Sequence, residues 1–275
     1  MNTRRVDVGG LELAVEERGA GEPVVILHGF TGCAASMACV AERLAQHYRT
    51  LSVDLVGHGA SAAPREPARY AMPDCVEQLD RLVDRLGIER AHWLGYSMGG
   101  RAALAFAVAC PERVERLLLV GASAGVGDPA ARAQRIAADE ALAAEIERDG
   151  TEAFVDHWMA LPLFASQKRL GDAALEAARA QRLRNAPHAL ANSLRGMGSG
   201  AQEPLHARLG QVRAPVCLVV GDEDAKFESI ARELAAELRD ARVERIAEAG
   251  HAAHLENPAA FARVASRFFA REQPA

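Results

Sequence analysis

The sequence pattern most indicative of chemistry is Gly-Tyr-Ser-Met-Gly at positions 95–99, which matches G-x-S-x-G. It follows a short apolar segment and opens a long Ala- and Leu-rich stretch, so the serine is expected at a tight turn between a strand and a helix. There its hydroxyl lies at a helix N-terminus, whose backbone N–H groups favour developing negative charge. Gly95, Gly99 and Gly100 supply the small residues that such a turn requires. The pattern predicts Ser97 as a catalytic residue; the alternative is an N-capping serine in a glycine-rich helix start.

A reactive serine needs a base, and two histidines lie near the C-terminal end of the sequence. His251 follows the last predicted strand, and His254 comes three residues later. We predict that His251 takes the serine proton. His254 is the rival base, and we interpret it as a structural histidine beneath the loop.

An acid must orient the imidazole and stabilise its protonated form. Three candidates, Asp222, Glu223 and Asp224, follow the preceding predicted strand. We predict Asp224, because Asp222 lies at the very end of the strand and its side chain is not expected to reach His251. Asp222 and Glu223 are expected to cap or solvate the turn. The resulting chain order is serine, acid, histidine, which is one of the orders that serine triads use.

Residues 27–30, Leu-His-Gly-Phe, follow another predicted strand and suggest an oxyanion hole. Such a site needs two backbone N–H groups, one of them from the residue after the serine. We therefore predict the amides of Met98 and Phe30. His28 is predicted to support the loop by hydrogen bonding rather than to act as a base, and Asp54 to structure a neighbouring loop.

The elements that must position these residues alternate between short apolar strands and longer helices. Alternation at 11–18 after a Gly-Gly turn at 9–10 predicts a hairpin. Strands are predicted at 24–27, 50–54, 91–95, 117–120, 216–220 and 243–246, and helices at 98–110 and 258–270. The alternation predicts an α/β fold with a mostly parallel central sheet and helices on both faces. Residues 122–212 are helical in pattern without a convincing strand, and they include a predicted glycine-rich turn at 196–200. We therefore predict an α/β core of residues 1–121 and 213–275 with a helical cap inserted at 122–212.

Composition and charge narrow the classes of function. The net charge of −5 argues against broad binding of nucleic acid or anionic membranes. No apolar segment approaches 18 residues and no signal peptide is recognisable, so we expect a cytoplasmic protein without a membrane span. The five cysteines have no metal-binding spacing and are expected to be free thiols. No metal or organic cofactor is implied, and the oligomeric state, monomer or small homo-oligomer, stays open.

As a set, these motifs resemble the α/β-hydrolase superfamily. The set consists of His-Gly at 28–29, Asp54 with Gly-His-Gly at 57–59, the segment 95–99, the G-x-x-D turn at 221–224 and Gly-His at 250–251. The similarity spans the whole predicted core and implies the α/β-hydrolase fold.

A narrower resemblance includes the predicted cap. Residues 27–32, 95–101, 161–164, 191–202 and 224–227 are similar to the 2-succinyl-6-hydroxy-2,4-cyclohexadiene-1-carboxylate synthases, lyases of menaquinone (vitamin K2) biosynthesis. The resemblance implies elimination of pyruvate from 2-succinyl-5-enolpyruvyl-6-hydroxy-3-cyclohexene-1-carboxylate, a small molecule with several carboxylates. It implies that Ser97 acts as a base on a carbon-bound proton, while the oxyanion hole holds the enolate.

The same resemblance implies arginines that bind the substrate carboxylates in bidentate fashion, together with a tyrosine and a tryptophan that line the pocket. The sequence does not decide between Arg132 and Arg135 for the first cap arginine. For each of these residues the alternative to substrate binding is an ordinary structural role: a surface salt bridge or solvent exposure for the arginines, and helix packing for the tryptophan. The residues so implied are Tyr96, Arg101, Arg132, Arg135, Trp158 and Arg182.

Other functions fit the same fold, because one scaffold supports many reactions. A carboxylesterase or carbon–carbon bond hydrolase would use the same triad with water. A non-catalytic small-ligand receptor is the third class. The cap arginines separate these functions, since a neutral ester needs no converging guanidinium groups and a polyanionic substrate does.

Overall fold

A single eight-stranded sheet lies at the centre of the molecule. The computed structural model describes residues 2–270, so the first residue and the last five of the predicted core lie outside it. The strands are β1 Asn2–Asp7, β2 Glu12–Arg18, β3 Pro23–Leu27, β4 Arg49–Val53, β5 Ala91–Tyr96, β6 Val114–Val120, β7 Val216–Gly221 and β8 Ala241–Ile246. Their order across the sheet is β1-β2-β4-β3-β5-β6-β7-β8. β2 pairs antiparallel with β1 and β4, and every other neighbouring pair is parallel.

Helices cover both faces of the sheet. They are α1 Ala38–Leu44, α2 Met72–Arg85, α3 Met98–Ala109, α4 Pro129–Met159, α5 Asp172–Arg182, α6 Pro187–Met197, α7 Ala225–Glu237, α8 Ala253–Glu256 and α9 Pro258–Phe269. α2, α3 and α7 contribute to the apolar core on one face, and α1 and α9 to the core on the other.

Side chains of the central strands alternate between these two cores. In β3, Val25 and Leu27 face the core with α2 and α3, whereas Val24 and Ile26 face the core with α1 and α9. This alternation is inherent to a strand, and a strand buried on both faces is a continuous apolar run. Complete burial of such side chains stabilises the fold by about 1.5–3 kcal/mol each.

The segment between β6 and β7, residues 122–212, consists of α4, α5, α6 and 3₁₀ turns at Pro162–Leu170 and His206–Gln211. We call it the inserted segment. It has a small apolar core of its own, formed mainly by α4 and α6. α4 is interrupted at Gly150, where φ is 86° and ψ is 173°. The described residues of this segment contain no strand.

The sequence-based fold prediction is confirmed, with three differences. The first strand of the predicted hairpin, for which no bounds were predicted, is β1, and it pairs with β2 across Gly9 and Gly10, both at positive φ. Its sequence is polar because it is an exposed edge strand. β4 ends at Val53, which leaves Asp54 in the loop. Gly196, expected in a turn, lies inside α6, because its lack of a side chain lets the helix pack directly on the Tyr70 backbone.

Candidate active site

The predicted catalytic residues lie at one edge of the sheet, after the carboxyl ends of parallel strands. Ser97 follows β5, Asp224 lies three residues beyond the end of β7, and His251 lies in the turn after β8. In open parallel sheets this edge is where ligands bind, since the loops that leave neighbouring strands meet there.

Ser97 occupies a sharp turn between β5 and α3. Its backbone has φ 50° and ψ −110°, a conformation that residues with a side chain rarely adopt. The turn also packs tightly on the end of β3: a Cβ atom on Gly99 would collide with the carbonyl oxygens of Leu27 and His28. Glycine is therefore required beside the serine by close backbone approach.

Ser97, His251 and Asp224 form a hydrogen-bonded chain. The Ser97 hydroxyl lies 3.2 Å from His251 Nε2, and His251 Nδ1 lies 2.8 Å from Asp224 Oδ2. With the ring protonated on Nδ1, the serine donates to the imidazole and the imidazole donates to the carboxylate. Asp224 also accepts the Phe227 N–H at 3.2 Å as the N-cap of α7, which fixes its side chain. Gly121, at φ 55°, leaves space for the His251 ring.

The rival acids and the rival base occupy other positions. Asp222 accepts the Ala249 N–H at 3.3 Å, and Glu223 forms an ion pair with Arg169. His254 is buried, and its ring packs 4.4 Å from the Tyr96 ring, centroid to centroid. Burial lowers the pKa of His254 to about 3, so this ring is neutral at pH 7.

Two backbone amides near Ser97 are free to bind an anion. Within residues 2–270, neither the Phe30 nor the Met98 N–H donates to a protein acceptor. The loop that carries Phe30 lies against the serine: a Cβ atom built on Gly29 would be 3.5 Å from Ser97 Cβ. The next residue, Thr31, has φ 67°, so the backbone turns sharply there.

His28 and Asp54 support this loop from beneath. His28 is fully buried; its Nε2 accepts the Leu55 N–H at 3.0 Å and its Nδ1 contacts the Gly29 carbonyl at 2.8 Å. Burial lowers the pKa of His28 to about 4, so the ring is neutral at pH 7. Asp54 accepts the N–H groups of Ala34 and Ala60 at 2.5 and 2.7 Å.

Arg101 and Arg182 are half-buried cations without a salt bridge to any carboxylate of the described chain. Arg101 donates through Nη1 to Gln202 Oε1 at 2.8 Å, and burial lowers its pKa to about 10, which leaves it charged at pH 7. Arg182 donates through Nη1 to the Ala178 carbonyl at 2.9 Å, while its buried Nε has no acceptor in residues 2–270. Its charge acts on the Tyr96 phenol, whose pKa burial raises.

The two candidate cap arginines of α4 differ in their partners. Arg135 is exposed and forms an ion pair with Asp139 at 2.9 Å. Arg132 is half-buried, and its Nε donates to the Gly200 carbonyl at 2.8 Å. Because no carboxylate in residues 2–270 forms an ion pair with Arg132, it is the better candidate for binding an anion.

Aromatic side chains connect the inserted segment to the predicted catalytic residues. The Trp158 ring packs against Phe30 and Phe164, at centroid distances of 5.3 and 5.7 Å. Phe164 in turn lies 6.2 Å from the His251 ring. A cavity of about 290 Å³ opens beside Asp224 and His251. The other residues that line it are Pro162, Leu163, Ala165, Ser166, Glu223, Ala225, Lys226 and Gly250.

Comparison with known proteins places the chain in a family. Residues 22–258 match the model of the alpha/beta hydrolase fold family. The chain belongs to the α/β-hydrolase family. It is 41% identical to a Bacillus subtilis (strain 168) protein named "Putative 2-succinyl-6-hydroxy-2,4-cyclohexadiene-1-carboxylate synthase", over 98% of both chains. It is 32% identical to the synthase of that name from Serratia proteamaculans (strain 568), over 87% of this chain and 89% of the other.

Solved structures agree with this assignment. The structure of MenH from S. aureus matches with a TM-score of 0.88 and 30% identity, over 92% of this chain and 97% of the other. An esterase from Thermogutta terrifontis matches with a TM-score of 0.83 and 26% identity, over 97% of both chains. The predicted superfamily and the narrower resemblance to the synthases are both confirmed.

Two polar residues near the site of this α/β-hydrolase were not predicted from the sequence. Asn185 donates to the carbonyls of Thr31 and Arg182, and its Oδ1 lies 3.4 Å from the Gly59 N–H. Gln202 is buried and accepts from Arg101. Only the position of Gln202 inside a cap motif hinted at its importance, and no pattern distinguished Asn185.

The described part of this α/β-hydrolase chain has neither a metal-binding cluster nor a membrane-spanning helix. Residues 2–270 contain no group of three or more His, Cys, Asp or Glu side chains placed to hold a metal ion. Across the same range, no helix combines the length and apolar character needed to cross a membrane.

Proposed function

We propose that this chain is a lyase that eliminates pyruvate from 2-succinyl-5-enolpyruvyl-6-hydroxy-3-cyclohexene-1-carboxylate to give 2-succinyl-6-hydroxy-2,4-cyclohexadiene-1-carboxylate. Its relatives carry the name of that synthase. The single observation that carries the proposal is the pair of half-buried arginines, Arg101 and Arg182, which form no ion pair within the described chain.

Withdrawing a charge partly from water without a paired carboxylate is costly, so such arginines indicate an anionic ligand that pairs with them. A guanidinium group binds a carboxylate through two parallel hydrogen bonds, and the proposed substrate carries several carboxylates. Arg101 lies one helical turn after Ser97, and Arg182 is close enough to influence the neighbouring Tyr96. We therefore assign Arg101, Arg182, Arg132 and Tyr96 to substrate binding. Arg135 is already paired with Asp139, so it is the weaker of the two candidates on α4 for binding the substrate.

The first chemical step is removal of the proton on the ring carbon next to the succinyl ketone. Ser97 Oγ takes this proton as its own proton passes to His251 Nε2, and Asp224 stabilises the resulting imidazolium. The electron pair of the broken C–H bond moves onto the ketone oxygen. The free amides of Phe30 and Met98 hydrogen-bond the enolate that forms.

The second step expels the leaving group. The electron pair returns from the enolate oxygen, the ring double bond shifts, and the carbon–oxygen bond to the enolpyruvyl group breaks. The group leaves as the enolate of pyruvate and takes up the proton held by His251. One substrate thus gives one cyclohexadiene and one pyruvate, without a water molecule as reactant.

The inserted segment is assigned the role of a cap that keeps water from the enolate. Phe30, Trp158 and Phe164 form a continuous aromatic contact over the triad. Excluding water strengthens the electrostatic interactions in the site and prevents side reactions of the intermediate.

Product analysis tests the proposal. Freshly prepared substrate is mixed with the protein; pyruvate is followed with lactate dehydrogenase and NADH at 340 nm, and the conjugated diene by its ultraviolet absorbance in a parallel sample. We expect both products to form one for one, well above the rate without enzyme, with Ser97→Ala as the inactive control.

The competing function is hydrolysis through an acyl-enzyme. It is favoured by the same triad geometry, which is also that of an ester-cleaving serine. Rapid hydrolysis of nitrophenyl esters with an initial burst, and no pyruvate above background, would replace the lyase by a carboxylesterase.

A further inference from the structure

The loop that carries His251 is held by a side chain outside the triad. Gly250 and His251 lie between the end of β8 and the four-residue helix α8, so no strand or long helix fixes their backbone. The carboxylate of Glu256, the last residue of α8, turns back onto this loop. Its Oε2 accepts the Gly250 N–H at 2.9 Å, and its Oε1 accepts the Ala252 N–H at 3.2 Å.

One carboxylate therefore binds the two amides that flank the histidine. Hydrogen bonds to an ionised acceptor are about twice as strong as those between neutral groups. The loop is also restricted on its other side: a Cβ atom on Gly250 would collide with Ser166 Oγ of the inserted segment. Glu256 and Ser166 together leave the backbone at Gly250 little freedom to move.

The imidazole needs such a constraint, because it must reach two partners at once. Its nitrogens are 2.8 Å from Asp224 and 3.2 Å from Ser97, and a small displacement of the backbone would lengthen one of these distances. Proton transfer falls steeply when heavy-atom distances leave the hydrogen-bonding range. We infer that Glu256 is a positioning residue that keeps His251 within hydrogen-bonding distance of both Ser97 and Asp224. The inference rests on the proposed role of His251 as the base.

The test compares Glu256→Gln and Glu256→Ala with the wild type in the full-length protein. Glu256→Gln keeps one acceptor oxygen and loses the other, and Glu256→Ala loses both. We expect kcat for pyruvate release to fall about tenfold in the Gln variant and further in the Ala variant, with KM nearly unchanged. Labelling of Ser97 by a fluorophosphonate should slow in the same order, since it also depends on the Ser97–His251 contact.

Asp7→Asn is the matched control. The Asp7 carboxylate likewise accepts two backbone N–H groups, those of Gly9 and Gly10, in a turn far from the site. We expect this variant to label and turn over like the wild type, even if its melting temperature falls as much as that of Glu256→Gln. The role of Glu256 is refuted if Glu256→Gln labels at the wild-type rate, or if labelling in all variants follows melting temperature alone. If Glu256→Ala does not fold, the Gln variant decides.

The labelling readout separates this inference from the proposed function. A wild-type protein that releases no pyruvate would refute the lyase proposal. The order of labelling rates among the variants would still show whether Glu256 positions His251.

Discussion

Ser97 holds a backbone conformation that is unfavourable for any residue with a side chain. At φ 50° and ψ −110° the region is essentially restricted to glycine, and occupying it costs of the order of 1–3 kcal/mol. The neighbouring glycines and the contact with β3 enforce the turn. The strain places the hydroxyl above the sheet edge, so stability is lost at the residue that we propose to act on the substrate.

This strain predicts opposite effects on activity and stability at one position. Ser97→Gly should abolish pyruvate release yet raise the free energy of unfolding by about 1 kcal/mol, because relief of strain exceeds the entropy cost of glycine. Ser97→Ala, which keeps a Cβ atom, should be equally inactive without this gain. Urea unfolding followed by circular dichroism measures the difference. Equal stability of the two variants would show that the turn is not strained.

Arg182 is the residue whose assignment to substrate binding is most directly testable. We expect Arg182→Ala to raise KM about 10- to 100-fold, the effect of losing a charge-assisted contact worth about 1.5–3 kcal/mol. The matched control is Arg179→Ala on the same helix, because Arg179 is paired with Asp156 and Glu152 and should not contact the substrate. The measurement is KM, determined from initial rates for both variants and the wild type. An unchanged KM in Arg182→Ala would remove this arginine from the pocket.

At the scale of elements, Asn185 joins three parts of the chain that the sequence separates widely. Its amide group binds the Thr31 carbonyl of the loop after β3 at 2.9 Å and the Arg182 carbonyl at the end of α5 at 3.0 Å. Its oxygen lies near the Gly59 N–H in the loop after β4. One side chain thus fixes the end of α5 relative to the loop that carries Phe30.

Loss of this link should affect binding and chemistry together. Asn185→Asp replaces the donor with an acceptor that faces two carbonyl oxygens, so we expect kcat to fall and KM to rise, each about tenfold. The nearby Asn192→Asp is the control, because the Asn192 amide donates to the Arg65 carbonyl rather than to the carbonyls of Thr31 and Arg182. Steady-state kinetics measure both parameters. A change confined to melting temperature would make Asn185 purely structural.

The core elements were predictable from the sequence, and the contacts between distant loops were not. β3, β5 and β7 are apolar runs bounded by glycine, and the order of Ser97, Asp224 and His251 follows from motifs at strand ends. The bounds of β1 were not predicted, because this exposed edge strand carries polar residues and has no apolar run. The roles of Asn185 and Glu256 were not predictable, because their partners are backbone amides and carbonyls. Such groups are present at every residue, so residue type and spacing do not indicate these contacts.

At the scale of the whole molecule, three buried histidines make folding sensitive to acid. Burial lowers the pKa of His28 to about 4, and the pKa values of His58 and His254 to about 3, from an ordinary value of 6.5. Below pH 6.5 the unfolded chain binds protons that the folded chain does not, so stability falls with pH until the folded pKa values are reached. At pH 5 each histidine lowers the free energy of unfolding by about 2 kcal/mol.

Urea unfolding at pH 7, 6 and 5 measures this dependence. We expect the midpoint to fall progressively, and His254→Gln, which cannot titrate, to have a shallower dependence. Burial raises the pKa of the Asp54 and Asp139 carboxyls, which counteracts the loss at the acidic end of the range. Identical midpoints at pH 7 and pH 5 would contradict the prediction.

The order of strands in the sheet has a consequence for synthesis on the ribosome. β6 and β7 are neighbours, but residues 121–215 separate them in the chain. Until that stretch has been translated, β6 is the edge of a growing sheet and exposes an apolar run, Leu117–Val120, to pairing with other nascent chains. The emerging polypeptide already contains Ser97 but neither its acid nor its base, so it is catalytically inert as well as prone to aggregate. The speed of translation through the inserted segment therefore sets how long β6 remains an unpaired, apolar edge of the sheet.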